Sequence, residues 1–145
     1  MRATTNGRAP AWAPKRRRGE TIRNGVAYIA KGGFHLNVKK NGSGFAVINV
    51  TDQPGNTLHC PSVDVMLNSV INFYGKHTLG VIMTGMGKDG LEGISRLKSL
   101  GGYSIVQNEE TCVVYGMPRA VVEAGFADAI LPLDDIAPTI NRILL

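Results

Sequence analysis

Residues 81–90, VIMTGMGKDG, join an apolar run to a glycine-rich segment, and this combination restricts the fold more than any other part of the chain. The apolar run predicts a buried strand, and the Gly85, Gly87 and Gly90 that follow it predict a loop leading into a helix. This order is typical of a parallel α/β domain whose loop carries function. Within the loop, Asp89 is the residue that we expect to do chemistry.

The first part of the chain beyond the N-terminus has the pattern of an antiparallel unit. Residues 26–30 (VAYIA) are rich in β-formers and bounded by glycines, which predicts a strand. Residues 34–38 and 45–50 predict two further strands, joined by KKNGSG. The Asn41-Gly42 pair in this connection is expected to supply the positive-φ turn of a hairpin.

The hydrophobic period then changes from strand-like to helical. Apolar residues recur at the spacing of one helical face. They are Val63, Met66, Leu67, Val70, Ile71 and Tyr74. Ser62 is expected to cap the N-terminus of this helix, Asp64 lies favourably in its first turn, and Gly75 ends it.

The rest of the chain alternates strands and helices with short connections. We predict strands over residues 79–84, 103–107 and 129–131, and helices over residues 91–100, from Pro118 to Gly125, and over 136–144. This alternation indicates an α/β fold with a doubly wound, mainly parallel sheet, helices on both faces, and the antiparallel hairpin near its N-terminal side. Sites in such folds lie at the carboxyl ends of strands, which indicates the loops 85–90 and 108–111. Residues 113–115 fit neither period.

The positive charge of the chain is concentrated at its N-terminus. The formal net charge is +5, but residues 1–25 carry seven basic residues against the single acid Glu20, so the rest of the chain is nearly neutral. We interpret residues 1–18 as a disordered basic leader. A nearly neutral folded part argues against a nucleic-acid-binding face. No apolar run approaches the roughly 20 residues of a membrane helix, so no membrane insertion is expected. Cys60 and Cys112 lack disulfide or zinc spacing, which fits a reducing cytoplasm.

Three uses of Asp89 are consistent with its place in the loop. The G-x-G-x-x-G spacing, with Glu109 or Glu110 about 20 residues further on, matches a dinucleotide-binding fingerprint. A carboxylate at the helix entrance would repel a pyrophosphate, which weighs against this use. Asp89 could instead cap the helix that begins near Gly90, the commonest role of an aspartate there. It could also be the orienting acid of a catalytic triad, at the end of a strand.

Other polar residues are weaker candidates. Ser62 lacks the G-x-S-x-G surroundings of a nucleophile, so we interpret it as a helix cap. His35 and His77 are expected to be structural or exposed rather than catalytic, and Arg119 is expected to form a surface ion pair. No set of His and Cys residues has zinc-ligand spacing, so neither a metal site nor a cofactor is predicted.

Five blocks of the sequence occur together in the order of one known family. They are VAYIA, PSVDVM from Pro61, GVIMTGMGKDG from Gly80, QNEETCVVYGMPR from Gln107, and the following VVEAG. With these blocks, residues 19–145 resemble the C-terminal part of the catalytic domain of the CheB family, the protein-glutamate methylesterases of bacterial chemotaxis.

The resemblance implies an activity and roles for several residues. Members of the family are hydrolases that cleave glutamate methyl esters on chemoreceptors and deamidate certain receptor glutamines, using a Ser-His-Asp triad on a doubly wound α/β fold. By resemblance, Asp89 is the triad acid, Met86 contributes to the oxyanion region, and Gly85, Gly87 and Gly90 shape the loop. The implied partner is the cytoplasmic methylated region of chemoreceptors. A non-catalytic receptor-binding module and a nucleotide-binding domain are the alternatives.

The chain departs from the family pattern upstream of residue 19. The family's nucleophilic serine and its histidine both precede the matched region, and residues 1–18 resemble nothing in the family. Neither the triad Ser nor the triad His can therefore be assigned, and the family's receiver domain has no counterpart. We expect an incomplete domain that is inactive alone and exposes an apolar sheet edge, through which it can associate with another chain.

Overall fold

The structure, a computed structural model, describes residues 19–144. The leader hypothesis concerns residues 1–18, which lie outside the described residues. The strands are β1 (His35–Lys40), β2 (Ala46–Thr51), β3 (Leu79–Ile82), β4 (Tyr103–Gln107) and β5 (Ala129–Leu131). The helices are α1 (Val63–Tyr74), α2 (Leu91–Ser99), α3 (Met117–Glu123) and α4 (Leu133–Leu144), with a 3₁₀ turn at Gly75–His77. Within the described residues, no helix has the length and apolar character needed to cross a membrane.

A parallel sheet of three strands forms the centre of the molecule. β4 lies between β3 and β5, with Leu79 paired to Tyr103 and Ile105 paired to Ala129. Each connection contains a helix, α2 after β3 and α3 after β4, because parallel strands cannot be joined by a tight turn. The predicted parallel α/β arrangement is therefore confirmed.

The main core lies between this sheet and the helices α1, α2 and α3. Its buried members are Leu67, Ile71, Ile82, Ile94, Leu97, Val106 and Val121. α4 contacts β4 separately, and Ile105 of β4 and Ile136 of α4 are both buried outside that cluster. Helices therefore cover both faces of the sheet, which confirms the doubly wound class.

β1 and β2 form the predicted antiparallel hairpin, but its turn differs from the prediction. The positive φ lies at Gly44 (+89°) and not at Gly42. The Asn41 side-chain oxygen accepts hydrogen bonds from the backbone N–H groups of Ser43 (3.0 Å) and Phe45 (2.9 Å). Because this side chain closes a longer turn, the tight Asn-Gly geometry is not needed.

The strand predicted at residues 26–30 does not form, and Ile29 within it is 77% exposed. Residues 19–22 pair with β2 instead, through backbone hydrogen bonds. α1 lies along the other edge of the hairpin, where the Ser69 hydroxyl oxygen accepts the N–H of Val38 (2.9 Å). Since both edges have a neighbour, residues 26–30 find no strand to pair with, and β-propensity alone does not make a ladder.

Smaller differences concern the ends of elements. β3 ends at Ile82 rather than near residue 84, because the N–H of Thr84 is bonded to the Gln107 side chain instead of continuing the ladder. α4 begins at Leu133, earlier than predicted, with acidic residues in its first turn, where negative charge is favourable.

Replacing Leu97 by Ala should lower the free energy of unfolding by about 2–5 kcal/mol, because it leaves a cavity at the core. Leu97 is 0% exposed. The matched control is Leu100→Ala just beyond the end of the same helix, where the side chain is 47% exposed. That variant should change stability by only about 0.5 kcal/mol. Urea unfolding measures both changes, and equal losses would contradict this description of the core.

Candidate active site

The loop after β3 and the segment after β4 meet at the carboxyl edge of the sheet. Gly85 donates its N–H to the Val114 carbonyl (3.0 Å) and accepts the N–H of Met117 (2.8 Å). Gly85 also forms a single parallel bridge with Tyr115, within the segment whose state the sequence pattern did not predict. The predicted loop at residues 85–90 is thus braced against the chain that leads into α3.

A buried glutamine holds these two segments together. Gln107 ends β4 and is almost fully buried. Its Oε1 accepts the N–H of Thr84 (2.8 Å), and its Nε2 donates to the carbonyl of Thr111 (2.8 Å). Sequence reasoning missed this residue. The available signal was a polar side chain closing an otherwise apolar strand, because such a side chain needs partners once buried.

The Asp89 carboxylate lies against the N-terminus of α1. Its Oδ2 accepts the N–H of Val63 (2.7 Å), and its Oδ1 accepts the N–H of Asp64 (3.0 Å) and the hydroxyl of Ser62 (2.9 Å). The first N–H groups of a helix have no partner within the helix, and the helix dipole favours an anion there. Asp89 supplies both the acceptors and the charge.

The first turn of α1 caps α2 in turn, while α1 is itself capped from the loop before α2. Asp64, in the first turn of α1, accepts the N–H of Gly93 in the first turn of α2 (2.7 Å). The N-cap of α2 is Gly90, which has no side chain to accept a hydrogen bond. The alternative use of Asp89, capping the helix that begins near Gly90, is therefore wrong about the helix, because the donors to Asp89 belong to α1. Asp64 reaches an N–H of α2, and α1 offers Asp89 donors of its own.

The pKa values of the two carboxylates at this junction are shifted in opposite directions. Partial burial acts to raise the pKa of Asp89, but the N–H groups of Asp64 and Val63, the Ser62 hydroxyl and the field of His59 outweigh it, so the pKa is lowered. Burial raises the pKa of Asp64 despite its hydrogen bonds, and the nearby charge of Asp89 adds to the rise. Asp89 is therefore ionised at neutral pH.

Steric space explains why glycines occupy this loop. A Cβ on Gly90 would lie 2.8 Å from Cδ1 of Ile82 and 3.0 Å from Cγ1 of Val63, and its φ of +96° is strained for other residues. A Cβ on Gly85 would lie 2.5 Å from Sδ of Met117. These contacts bring β3, α1 and the loop close enough for the Asp89 carboxylate to reach the start of α1.

Met86 and Gly87 form the tip of the loop. The Met86 side chain is 78% exposed, and within residues 19–144 its backbone N–H has no hydrogen-bond partner. Gly87 has a φ of +81°, and a Cβ there would lie 3.9 Å from Nε2 of His59. Beside the tip is a cleft of about 730 Å³. Its polar lining includes Thr57, Ser62, Asp64, Lys88, Asp89 and Glu92.

Of the other candidate residues from the sequence, Ser62 and His35 lie at this junction, whereas Arg119 and His77 lie away from it. Ser62 is the N-cap of α1, as predicted. Arg119 forms the predicted surface ion pair, with Glu123 at 2.7 Å. His77 lies in the 3₁₀ turn before β3, at the amino end of the strand and not at the site. His35 is buried, and its Nδ1 accepts the N–H of Ser62 (3.2 Å).

An ionised carboxylate at the carboxyl ends of the strands of a doubly wound sheet, near an amide that has no partner among the described residues, is suited to the acid of a hydrolytic triad. The family model described as CheB methylesterase matches residues 13–140. The chain therefore belongs to the CheB methylesterase family. The match begins within residues 1–18, and the domain boundary at residue 19 stays a prediction.

Individual relatives agree with the family assignment. The chain is 51% identical over 122 residues to the protein-glutamate methylesterase/protein-glutamine glutaminase 2 of Nitratidesulfovibrio vulgaris, covering 84% of this chain and 33% of the relative. It is 47% identical over 132 residues to the corresponding protein of Desulfitobacterium hafniense, covering 91% and 34%. The chain thus spans about a third of the length of these relatives.

A solved structure agrees as well. The catalytic domain of the Thermotoga maritima CheB methylesterase matches with a TM-score of 0.82 and 38% identity, over 88% of this chain and 67% of that domain. At this identity and similarity the likeness extends to the family and not to the fold alone.

Asp89→Asn should destabilise the folded chain by about 1–2 kcal/mol near neutral pH, because it removes the anion at the start of α1. The pKa of Asp89 in the folded chain is lowered. The ionised carboxylate therefore contributes to the free energy of unfolding above the ordinary carboxyl pKa, and this contribution is lost as pH falls through the lowered pKa. The difference between wild type and variant should therefore shrink below about pH 4.

Asp64→Asn is the matched control, because the pKa of Asp64 is raised. Relative to this variant, the wild type should gain stability as pH falls, first through the raised pKa of Asp64 in the folded chain and then through the ordinary carboxyl pKa. Urea unfolding at several pH values measures both differences. Differences that do not vary with pH, or that vary with the same sign, would contradict the assigned cap geometry.

Proposed function

We propose that this chain is the part of a protein-glutamate methylesterase that supplies the triad acid and an oxyanion contact. The reaction is hydrolysis of glutamate methyl esters and deamidation of glutamines on the cytoplasmic methylated region of chemoreceptors, without a cofactor. The reaction is inferred from the names of the relatives, and the role of Asp89 is inferred from its hydrogen bonds. Because the chain spans about a third of those relatives, the complete activity is part of the proposal.

The hydrogen bonds of Asp89 leave room for one more donor. An ionised carboxylate offers about four acceptor positions. Among the described residues, Ser62 and Asp64 take two on Oδ1 and Val63 takes one on Oδ2. The remaining position on Oδ2 can accept the Nδ1–H of a histidine and hold its tautomer, and the lowered pKa keeps the acid ionised throughout, as a triad requires.

The chemistry follows from this arrangement. A serine hydroxyl attacks the ester carbonyl while the histidine takes its proton, and the carbonyl oxygen becomes an oxyanion. Among residues 19–144 the N–H of Met86 has no partner, so it can donate to that oxyanion. Collapse expels methanol, protonated by the histidine, and leaves an acyl-serine. Water, activated by the same histidine, then releases the glutamate. From a glutamine side chain the leaving group is ammonia.

We assign the nucleophile and the base to chain outside residues 19–144. Ser62 is only 7% exposed, and its hydroxyl donates to Asp89 and accepts from α1, so it is already engaged. His35 is buried, and His77 lies at the amino end of β3. His59 lines the cleft, but among the described residues it makes no hydrogen bond to Asp89.

The edge of β3 offers a position where that additional chain can bind. In the sheet of the described residues β3 is an edge strand, and side chains near its carboxyl end are exposed. They are Met83, Met86, Val113 and Val114. A parallel strand added beside β3 would end next to Asp89, because the carboxyl ends of parallel strands meet at the same edge. We propose this edge as the surface of association.

The proposal predicts that a chimera will be active where this chain alone is not. Residues 19–145 are joined behind the part of the Thermotoga maritima domain that they do not match. Methanol release from a methylated receptor is then measured. The chimera should turn over, and Asp89→Ala should lower kcat about 10⁴-fold, as loss of a triad acid does. Glu92→Gln, which changes another carboxyl of the same cleft, is the matched control and should change kcat less than about tenfold.

Two outcomes would contradict this assignment. The isolated chain could release methanol at a rate that falls on Ser62→Ala or His59→Ala, which would place the nucleophile or the base within the described residues. Alternatively, Asp89→Ala and Glu92→Gln could reduce the activity of the chimera equally, which would remove the special role of Asp89.

A further inference from the structure

The three histidines all lie within residues 19–144, and of these only His35 has a buried side chain, which is 1% exposed. It is the first residue of β1, and its ring reaches both the loop before α1 and the start of α1 itself. Nδ1 lies 3.2 Å from the backbone nitrogen of Ser62, and Nε2 lies 3.2 Å from the Pro54 carbonyl oxygen and 3.3 Å from Oγ1 of Thr57.

These contacts define the tautomer of His35. The Ser62 nitrogen is a backbone N–H and can only donate, so Nδ1 must be unprotonated. The Thr57 hydroxyl donates its proton to the carbonyl of His59 (2.8 Å), so its oxygen is an acceptor toward His35. The Pro54 carbonyl is an acceptor as well. The ring is therefore neutral and carries its proton on Nε2, shared between the two oxygens.

The ring connects the wall of the cleft to the catalytic carboxylate. Thr57 and His59 line the cleft, and Nε2–H holds this loop through Thr57. On the other side Nδ1 holds the amide of Ser62, whose hydroxyl donates to Oδ1 of Asp89. The next two amides of the chain, those of Val63 and Asp64, also donate to Asp89. The position of the Ser62 backbone therefore determines where all three donors to Asp89 lie.

We propose that His35 is a positioning residue of this site, which through the amide of Ser62 fixes the donors that aim the Asp89 carboxylate. The catalytic consequence rests on the proposed function, whereas the placement of the carboxylate does not. His35 itself does not touch substrate, since its side chain is buried and both ring nitrogens are engaged.

Two substitutions separate the two ring nitrogens. In His35→Asn the amide oxygen lies near the place of Nδ1 and can still accept the N–H of Ser62. In His35→Gln the longer side chain brings its amide near the place of Nε2 and loses the contact with Ser62. Both variants lose the ring and its packing, so a purely structural role would affect them alike.

The first readout is the tautomer, measured from the ¹⁵N shifts of His35 in the wild-type chain near pH 7. The expected result is an unprotonated Nδ1 and a protonated Nε2. The opposite tautomer or an imidazolium would overturn the proposal, and this measurement does not depend on any variant folding.

The second readout is the titration midpoint of Asp89, followed by its carboxyl ¹³C shift. His35→Asn should keep the lowered midpoint, whereas His35→Gln should raise it toward the ordinary value of about 3.9. Thr57→Val, which removes a partner of Nε2 only, should leave it lowered. Equal shifts in the Asn and Gln variants, or no shift in either, would overturn the proposal.

In the chimera, His35→Gln should lower kcat on the order of 10²-fold with little change in KM, because the misplaced group acts in the chemical step. His35→Asn should retain most of the activity. A loss of equal size in both variants would contradict positioning through Ser62. If Asp89→Ala leaves kcat unchanged, the proposed function fails, while the midpoints of Asp89 still test the placement by His35.

Discussion

The Asp89 carboxylate binds the start of α1 through hydrogen bonds from Ser62, Val63 and Asp64, and the rest of the site depends on this contact. Helix N-termini are common binding sites for phosphate and other anions, because their amides are unpaired and the dipole is favourable. Here the protein's own carboxylate occupies that place. The spacing of the glycine-rich loop matches a phosphate-binding fingerprint. Instead of binding an external anion, however, this loop carries its own carboxylate, that of Asp89, which binds the start of α1.

Close packing of α1 against α2 makes possible the contact between Asp64 of α1 and Gly93 of α2. A Cβ on Gly93 would lie 2.7 Å from Cβ of Leu67, so only a glycine allows the two helices this approach. At that separation Asp64 reaches the N–H of Gly93, while Leu67 and Ile94 contribute to the same core cluster. Because protein interiors are densely packed, a change of core volume between these helices should also move the carboxylates at their ends.

The regular elements of this fold could be predicted from the sequence, since their signals are local. The apolar face of α1, its cap at Ser62, and the alternation of strands and helices from β3 onward need only periodicity and capping chemistry. The role of Asp89 as triad acid came from resemblance to the family and remains a proposal.

The contacts that the sequence could not reveal join residues far apart in the chain. Residues 26–30 have strand propensity, but both edges of the hairpin have a neighbour, which only the tertiary arrangement decides. Asp89 caps α1 rather than α2 because α1 begins beside it in space. Gln107 and His35 are polar side chains buried by their surroundings, and their partners become visible only once the loops are in place.

An ionised Asp89 accepts the first amides of α1, and those amides can be observed directly. The amide proton shifts of Val63 and Asp64 should be followed in the wild-type chain as pH is lowered from about 6 to about 2.5. The Val63 amide should titrate with a midpoint below the ordinary value of an aspartate, and the Asp64 amide should show the same midpoint together with a second, higher one from its own carboxyl. A Val63 amide that does not titrate, or that does so only with a midpoint at or above the ordinary value, would contradict the cap geometry.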